Sequence, residues 1–320
     1  MSATTLHQLE IYGPDRCDRL TPEQARNWCM KIATGRYENF SVLSAVVPKS
    51  LRGDFAAVYA FCRWADDLGD EMGSRDRARE LLAWWRRELQ QCFGGQPRHP
   101  VFLALEPTIR RHSLPIEPFD HLIQAFEQDQ SVDRYQTWDQ LIGYCKLSAD
   151  PVGRLVLMMS GEDRTEDNFT LSDCICTALQ LTNHWQDVRR DAVERNRIYI
   201  PRDMMDAPDF EQRLIGSARQ GFGVDHAFLE DSRRVVRQCV TRTWPLYEKG
   251  LGLLERVGPQ TRPIVWLFAA GGQHVLRKIE QWSYETALHR PTLTKLRRVQ
   301  LVAKAWLAAK TAKPRRAVRP

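Results

Sequence analysis

The sequence predicts an all-α fold, a helical bundle built around a central cavity. Alternating runs of β-branched residues, the mark of strands, are nearly absent, and apolar residues recur instead at helical spacing through most of the 320 residues. Pro, Gly and polar breaks separate these stretches without a long linker, so one domain over residues 1–320 is expected. Two of the stretches also carry carboxylates along one face, which points to a lined cavity.

The elements follow in order. Thr21-Pro22 marks a helix start, with a capping Thr and Pro at the first helical position. Residues 54–70 form a helix whose Ala56, Ala57, Ala60 and Phe61 suit close packing. Residues 75–92 are amphipathic and stop near Gly94-Gly95. Helices over 118–130 and 138–159 come next. Pro151 removes one backbone hydrogen bond from the second of these and, with Gly153, predicts a break near residues 149–153. Helices over 171–193, 225–257, 262–288 and 293–309 complete the set.

Bulk properties narrow the function. Hydrophobic residues make up 43%, enough for a core, yet no apolar run reaches the roughly 18 residues of a spanning helix. The first ten residues lack a basic region followed by an apolar one, so no secretory signal is expected. The eight scattered cysteines then read as free thiols in a cytoplasmic protein. The net charge of +6 concentrates at the end of the chain, in Lys310, Lys313, Arg315, Arg316 and Arg319. Such a tail suits anionic headgroups or an anionic substrate, and peripheral contact at the inner membrane face is one expectation. Zinc-finger spacing and aromatic–basic interleaving are missing, which argues against a nucleic-acid partner.

The chemistry sits in two acidic blocks. In Asp66-Asp67-Leu68-Gly69-Asp70, Asp66 and Asp70 share a helix face and Asp67 points about 100° away. The preceding residues are mainly apolar, so the helix is buried and its carboxylates need a cation or a partner. Tyr59 and Arg63 lie on roughly the same side, where Arg63 is able to meet a diphosphate oxygen. In the second block Gln180, Asn183, Asp187 and Asp191 fall at offsets 0, 3, 7 and 11, one stripe of a helix. Arg197 and Tyr199 follow and are placed to fold over a ligand as a partial lid. Two carboxylate faces far apart in sequence are what Mg²⁺ ions need to hold a diphosphate. Mg²⁺ prefers oxygen and usually binds one or two carboxylates plus substrate phosphate.

These segments resemble the squalene/phytoene synthase family over nearly the whole chain. The matching residues run from Tyr59 through Arg63 and Asp66 to Asp70, from Gln180 through Asn183 and Asp187 to Asp191, and from Arg197 through Tyr199 to Pro201. The resemblance implies an isoprenoid synthase fold and Mg²⁺-dependent chemistry on prenyl diphosphates. Asp66, Asp70, Asn183, Asp187 and Asp191 are then metal-binding, the aspartates catalytic through the metal. Phe40, Tyr59, Arg63, Gln180, Asn183, Arg197 and Tyr199 are then around the substrate. Glu38-Asn39-Phe40, the run from Ser148 to Arg154 with Asp150 where Asn is usual, Asn183-His184-Trp185-Gln186-Asp187 and Arg290-Pro291-Thr292-Leu293 are similar to the hydroxysqualene-forming branch of bacterial hopanoid pathways.

The expected reaction is conversion of presqualene diphosphate and water to hydroxysqualene and diphosphate. No nicotinamide is implied, since no Gly-x-Gly-x-x-Gly follows a strand. Lys146, Asp150 and His184 are candidates for placing the water. The competing readings are head-to-head condensation of two farnesyl-type diphosphates to presqualene diphosphate, squalene or phytoene, terpene cyclisation, and a non-catalytic helical scaffold.

Overall fold

A computed structural model describes residues 5–35, 46–220 and 225–311. Among them the fold is all-α: two isolated β-bridges, Tyr12 with Cys17 and Arg134 with Ile198, are the extent of β structure. The helices are α1 (Thr5–Tyr12), α2 (Pro22–Gly35), α3 (Arg52–Asp70), α4 (Arg75–Phe93), α5 (Pro100–His112), α6 (Glu117–Gln128), α7 (Trp138–Ser148) and α8 (Asp150–Met159). They continue as α9 (Glu166–Gln186), α10 (Val188–Glu194), α11 (Phe210–Gln220), α12 (His226–Gly250), α13 (Leu253–Arg256), α14 (Arg262–Gln281) and α15 (Lys295–Thr311). No helix of the described residues is long and apolar enough to cross a membrane. All eight cysteines are free.

Local chemistry sets the helix starts. At α2, Thr21 Oγ1 accepts from the Gln24 amide at 3.2 Å and Gln24 Oε1 accepts from the Thr21 amide at 2.9 Å, a reciprocal capping box. Ser74, Thr137, Thr165 and Asp225 cap α4, α7, α9 and α12 in the same sense. The break forecast at Pro151 is present. Ala149 leaves the helical region at φ −125°, ψ −50°, and separates α7 from α8.

Expected boundaries differ in several places, and the stretch 225–257 is interrupted after Gly250, with the short α13 following. The stretch 171–193 is not continuous: α9 ends at Gln186, Asp187 sits outside helical geometry at φ −104°, ψ 15°, and α10 starts anew. The stretch 262–288 stops at Gln281, where Ser283 and Tyr284 take positive φ. The helix α5 was not among the expected elements, and it carries Pro107 in its interior.

Two cores support the cavity. The first joins α2 to α6 through stacked aromatic rings: Trp64 lies 5.4 Å from Trp85 at 12°, and Phe61 meets Phe119 edge-on at 5.2 Å. His99 is fully buried among them, and burial holds its imidazole neutral. The second core surrounds α9 and α12, with Leu181, Trp185, Val236 and Tyr247 fully or nearly fully buried. Tyr247 Oη bonds Thr182 Oγ1 at 3.0 Å, which fixes α12 against α9.

Close helix approach depends on particular glycines. A Cβ at Gly272 would lie 2.0 Å from Tyr247 Oη and 2.5 Å from Leu179 Cδ2, whereas one at Gly271 would meet nothing within 4 Å. Both residues are inside α14. Gly272→Ala should therefore destabilise the protein by about 1–3 kcal/mol through overpacking. Gly271→Ala should be neutral or stabilise by up to about 1 kcal/mol through helix propensity. Urea denaturation of the two variants measures the opposite signs; equal shifts would contradict this packing.

Candidate active site

The C-terminal ends of α3 and α9, the short helix α10 and the turn after it enclose a cavity of about 350 Å³. Asp66, Asp70, Gln180, Asn183, Asp187, Asp191, Arg197 and Tyr199, all singled out from the sequence, line it together. Asp66 and Asp70 face it because they are one helical turn apart. Asp67, turned about 100° from Asp66, is 1% exposed, does not line this cavity and forms an ion pair with Arg63.

The break at Asp187 shapes the second acidic face. The Asp187 amide still donates to Asn183 O at 2.9 Å, and the Asp191 amide donates to Asp187 O at 2.8 Å. The polar stripe thus continues across a bend and does not run along one straight helix. The chain then reverses at Asn196, which takes φ 51° and is held by Arg134 donating to its carbonyl at 2.6 Å. This turn drives Arg197 inward. Arg197 is only 8% exposed and donates to Asp70 Oδ1 and to the Asp129 carbonyl, both at 3.1 Å. Arg197 and Tyr199 are consequently a buried wall tying α3 to the end of α6, not a covering lid.

Each acidic face is matched by guanidinium groups. Asp70 pairs with Arg195 at 3.0 Å as well as Arg197. Asp187 pairs with Arg190 at 2.8 Å and with Arg290, whose second contact is at 3.2 Å. Asp191 is 3.5 Å from Arg190, and its Oδ1 is buried without a hydrogen-bond partner. Burial, countered by Arg190 and reinforced by the Asp187 charge, pushes Asp191 up to about 6. Burial and then the neighbouring Asp70 push Asp66 up to about 6 as well. The carboxylates are close enough to cost free energy when charged together, and a further cation on the cavity side would relieve that cost.

Some expected residues are placed elsewhere. Arg63 pairs with Asp66 at 3.0 Å and reaches Glu71 at 3.4 Å, at the mouth of an adjoining cavity of about 470 Å³ that shares Asp66, Asp70, Arg195 and Arg197. Tyr59 is packed against the first core and lines neither cavity. Lys146 and Asp150 face a different cavity, behind the α7–α8 break, where Asp150 accepts from Thr177 Oγ1 at 2.8 Å. Only His184 of the three water candidates reaches the acidic cavity. It stacks on Tyr199 at 3.6 Å, and burial lowers it to about 3, so it is a neutral imidazole. Phe40, with Glu38 and Asn39, lies outside the described residues, as do Lys313, Arg315, Arg316 and Arg319.

Other lining residues carried no signal of their own in the sequence. Asp129, buried at the end of α6, accepts from Tyr144 Oη at 3.0 Å, and burial lifts it to about 7. Arg195 and Ser148 also face the cavity. Ser148 and Gln180 line a second, largely apolar cavity of about 200 Å³ too, whose walls include Val152, Val156, Leu157, Ile175, Leu179 and Phe268. A polar, charged chamber and an apolar one thus share Ser148 and Gln180 in their walls beside the α7–α8 break.

Among the described residues, no three His, Cys, Asp or Glu side chains converge as a ready metal-ligand set. The donors are nevertheless the right kind for a hard cation. Asp66 and Asp70 on one wall, and Asn183, Asp187 and Asp191 on the other, offer oxygen only, and Asp191 Oδ1 is buried with Arg190 at 3.5 Å and no hydrogen bond. Mg²⁺ that keeps substrate oxygens in its shell fits such a divided set.

Comparison with known proteins agrees with this geometry. Residues 33–298 match the model of the squalene/phytoene synthase family. Hydroxysqualene synthase of Zymomonas mobilis is 35% identical over 222 residues, 67% of this chain and 69% of that protein. Phytoene synthase of Arthrospira platensis is 27% identical over 294 residues, 88% of this chain and 92% of that protein. The crystal structure of a squalene synthase from Alicyclobacillus acidocaldarius superimposes with a TM-score of 0.72 at 39% identity, covering 82% of this chain and 96% of that one. The all-α fold is therefore the squalene synthase type of isoprenoid synthase fold, and the chain belongs to the squalene/phytoene synthase family, whose members process prenyl diphosphates.

Proposed function

We propose that this protein converts presqualene diphosphate and water to hydroxysqualene and diphosphate, a step of squalene and hopanoid synthesis. The observation that carries the proposal is that Ser148 and Gln180 line both a carboxylate- and arginine-lined chamber and an apolar one. A diphosphate fits the first and an isoprenoid chain the second. The relatives named hydroxysqualene synthase, 35% identical in Zymomonas mobilis and 38% in Rhodopseudomonas palustris over 54% of this chain, favour the water-capturing reaction. The phytoene synthase match keeps head-to-head condensation of two prenyl diphosphates as the second reading.

Family members generally depend on a divalent metal. Here Asp66, Asp70, Asn183, Asp187 and Asp191 would hold Mg²⁺, which when bound supplies charge neutralisation to the departing diphosphate. Arg190, Arg195 and Arg290 are positioned to exchange their carboxylate partners for diphosphate oxygens as substrate and metal arrive. The ester C–O bond then breaks with its electron pair on diphosphate, the cyclopropylcarbinyl cation opens, and water adds with loss of a proton. Val156, Leu157, Ile175 and Leu179 exclude other water from the chain. Ser148 Oγ is buried in the wall shared by both chambers without a hydrogen-bond partner, and can hold the attacking water there. The neutral His184 and the aromatic faces of Tyr144 and Tyr199 place no fixed positive charge beside the cation.

Three outcomes are expected. Purified protein with Mg²⁺ and no nicotinamide should consume presqualene diphosphate faster than farnesyl diphosphate, with an alcohol product by mass spectrometry. Efficient formation of presqualene diphosphate from farnesyl diphosphate would favour the condensation reading instead. Asp66→Ala and Asp187→Ala should each lower turnover more than about a hundredfold with the helical circular dichroism intact; near-normal turnover at low Mg²⁺ would remove these residues from the metal site. Ser148→Ala should shift the product from alcohol towards hydrocarbon formed by proton loss, with diphosphate release retained. An unchanged alcohol fraction would exclude Ser148 from holding the water.

A further inference from the structure

The last helix, α15, packs through Leu301 and Ala305, which are buried. Its opposite side is apolar too, and faces solvent. Leu296, Val299, Trp306 and Leu307 are 69%, 64%, 38% and 57% exposed. With the exposed Ala303 they fall at offsets 0, 3, 7, 10 and 11, a single stripe along the helix. A helix already anchored by its inner face gains nothing in folding from a second apolar face in water. Exposed apolar stripes of this kind mark interaction surfaces.

The charge around the stripe identifies the partner. The helix carries Lys295, Arg297, Arg298, Lys304 and Lys310 and no acidic residue. The Lys310 ammonium lies 4.0 Å from the Trp306 ring centroid, and Lys304 lies 4.9 Å from that of Trp266. The residues that follow add Lys313, Arg315, Arg316 and Arg319 to the same end of the sequence. A second copy docking stripe to stripe would bring two wholly cationic helices together with no acid to pair them. An anionic phospholipid surface complements both features at once, taking the apolar ridge among its acyl chains and the cations at phosphate level. The family match ends at residue 298, so most of this helix lies beyond it.

We propose that the outer face of α15 is a bilayer-docking surface that seats the protein on an anionic membrane, with Leu296, Val299, Trp306 and Leu307 as the inserted groups. The attachment is peripheral, through a helix lying in the interface plane. The proposal is independent of the reaction assigned above.

Co-sedimentation of the full chain with vesicles of phosphatidylcholine alone, or mixed with phosphatidylglycerol, tests it. Binding should require phosphatidylglycerol and weaken with salt, because exposed charges are screened over about 10 Å at 0.1 M. The Val299→Glu/Leu307→Glu double variant should bind at least roughly tenfold more weakly with unchanged circular dichroism. Removal of residues 312–320 should leave binding that is still sensitive to that double substitution. Equal binding by the double variant and the parent chain would overturn the proposal. So would a parent dimer in sedimentation velocity, dispersed by the double substitution, without vesicle binding: the face would then be a contact between copies.

Discussion

The neutralisation of carboxylates that share one enclosed space governs much of this structure. Asp66, Asp70, Asp129, Asp187 and Asp191 line a single cavity, the last three of them buried, and isolated buried charges are untenable. Arginines from distant parts of the chain answer them. Arg197 crosses from the turn after α10 to Asp70, and Arg290 reaches Asp187 from beyond α14. The left-handed Asn196 and the bend at Asp187 follow from the same need, since a straight helix through residues 171–193 would carry Arg197 away from Asp70. The balance is also adjustable. On the proposed function, an incoming diphosphate with its metal ions would offer the arginines anions and the carboxylates cations, so that binding would replace existing ion pairs without stranding either partner.

The second constraint is the meeting of polar and apolar space. At the α7–α8 break Pro151 supplies no amide, and Ser148 is left with a buried hydroxyl facing both cavities. Gly153 allows α8 to lie close to α9: a Cβ there would sit 2.4 Å from Ser172 Oγ. On the proposed reaction, a cation formed beside the diphosphate would meet the apolar walls of the second cavity, with Ser148 and Gln180 as the polar groups shared by both.

The fold class, the helix break at Pro151 and the lining of the cavity by Asp66, Asp70, Gln180, Asn183, Asp187 and Asp191 were legible because each rests on local periodicity or local chemistry. Helix α5 was not among the expected elements, and the hydrogen bond lost at its Pro107 is tolerated where Val101, Phe102 and Leu105 anchor the helix in the core. Asp129, Tyr144 and Arg195 gave no signal because their roles come from contacts across 15 to 68 residues or from a turn. Tyr59 shares a helix side with Arg63, and among the described residues it packs half-buried against the first core and does not line the acidic cavity. Lys146 and Asp150 flank the break as expected, yet the change of direction at Ala149 turns them to the rear cavity.

The claim that the two acidic walls form a metal site only when a diphosphate bridges them is open to direct titration. Isothermal calorimetry with Mg²⁺ alone, inorganic diphosphate alone and both together separates the terms. The divided donor set predicts weak Mg²⁺ binding alone, weak diphosphate binding alone, and a strong mutual enhancement when both are present, lost in Asp187→Ala. Tight Mg²⁺ binding without diphosphate, or diphosphate binding indifferent to Mg²⁺, would contradict it.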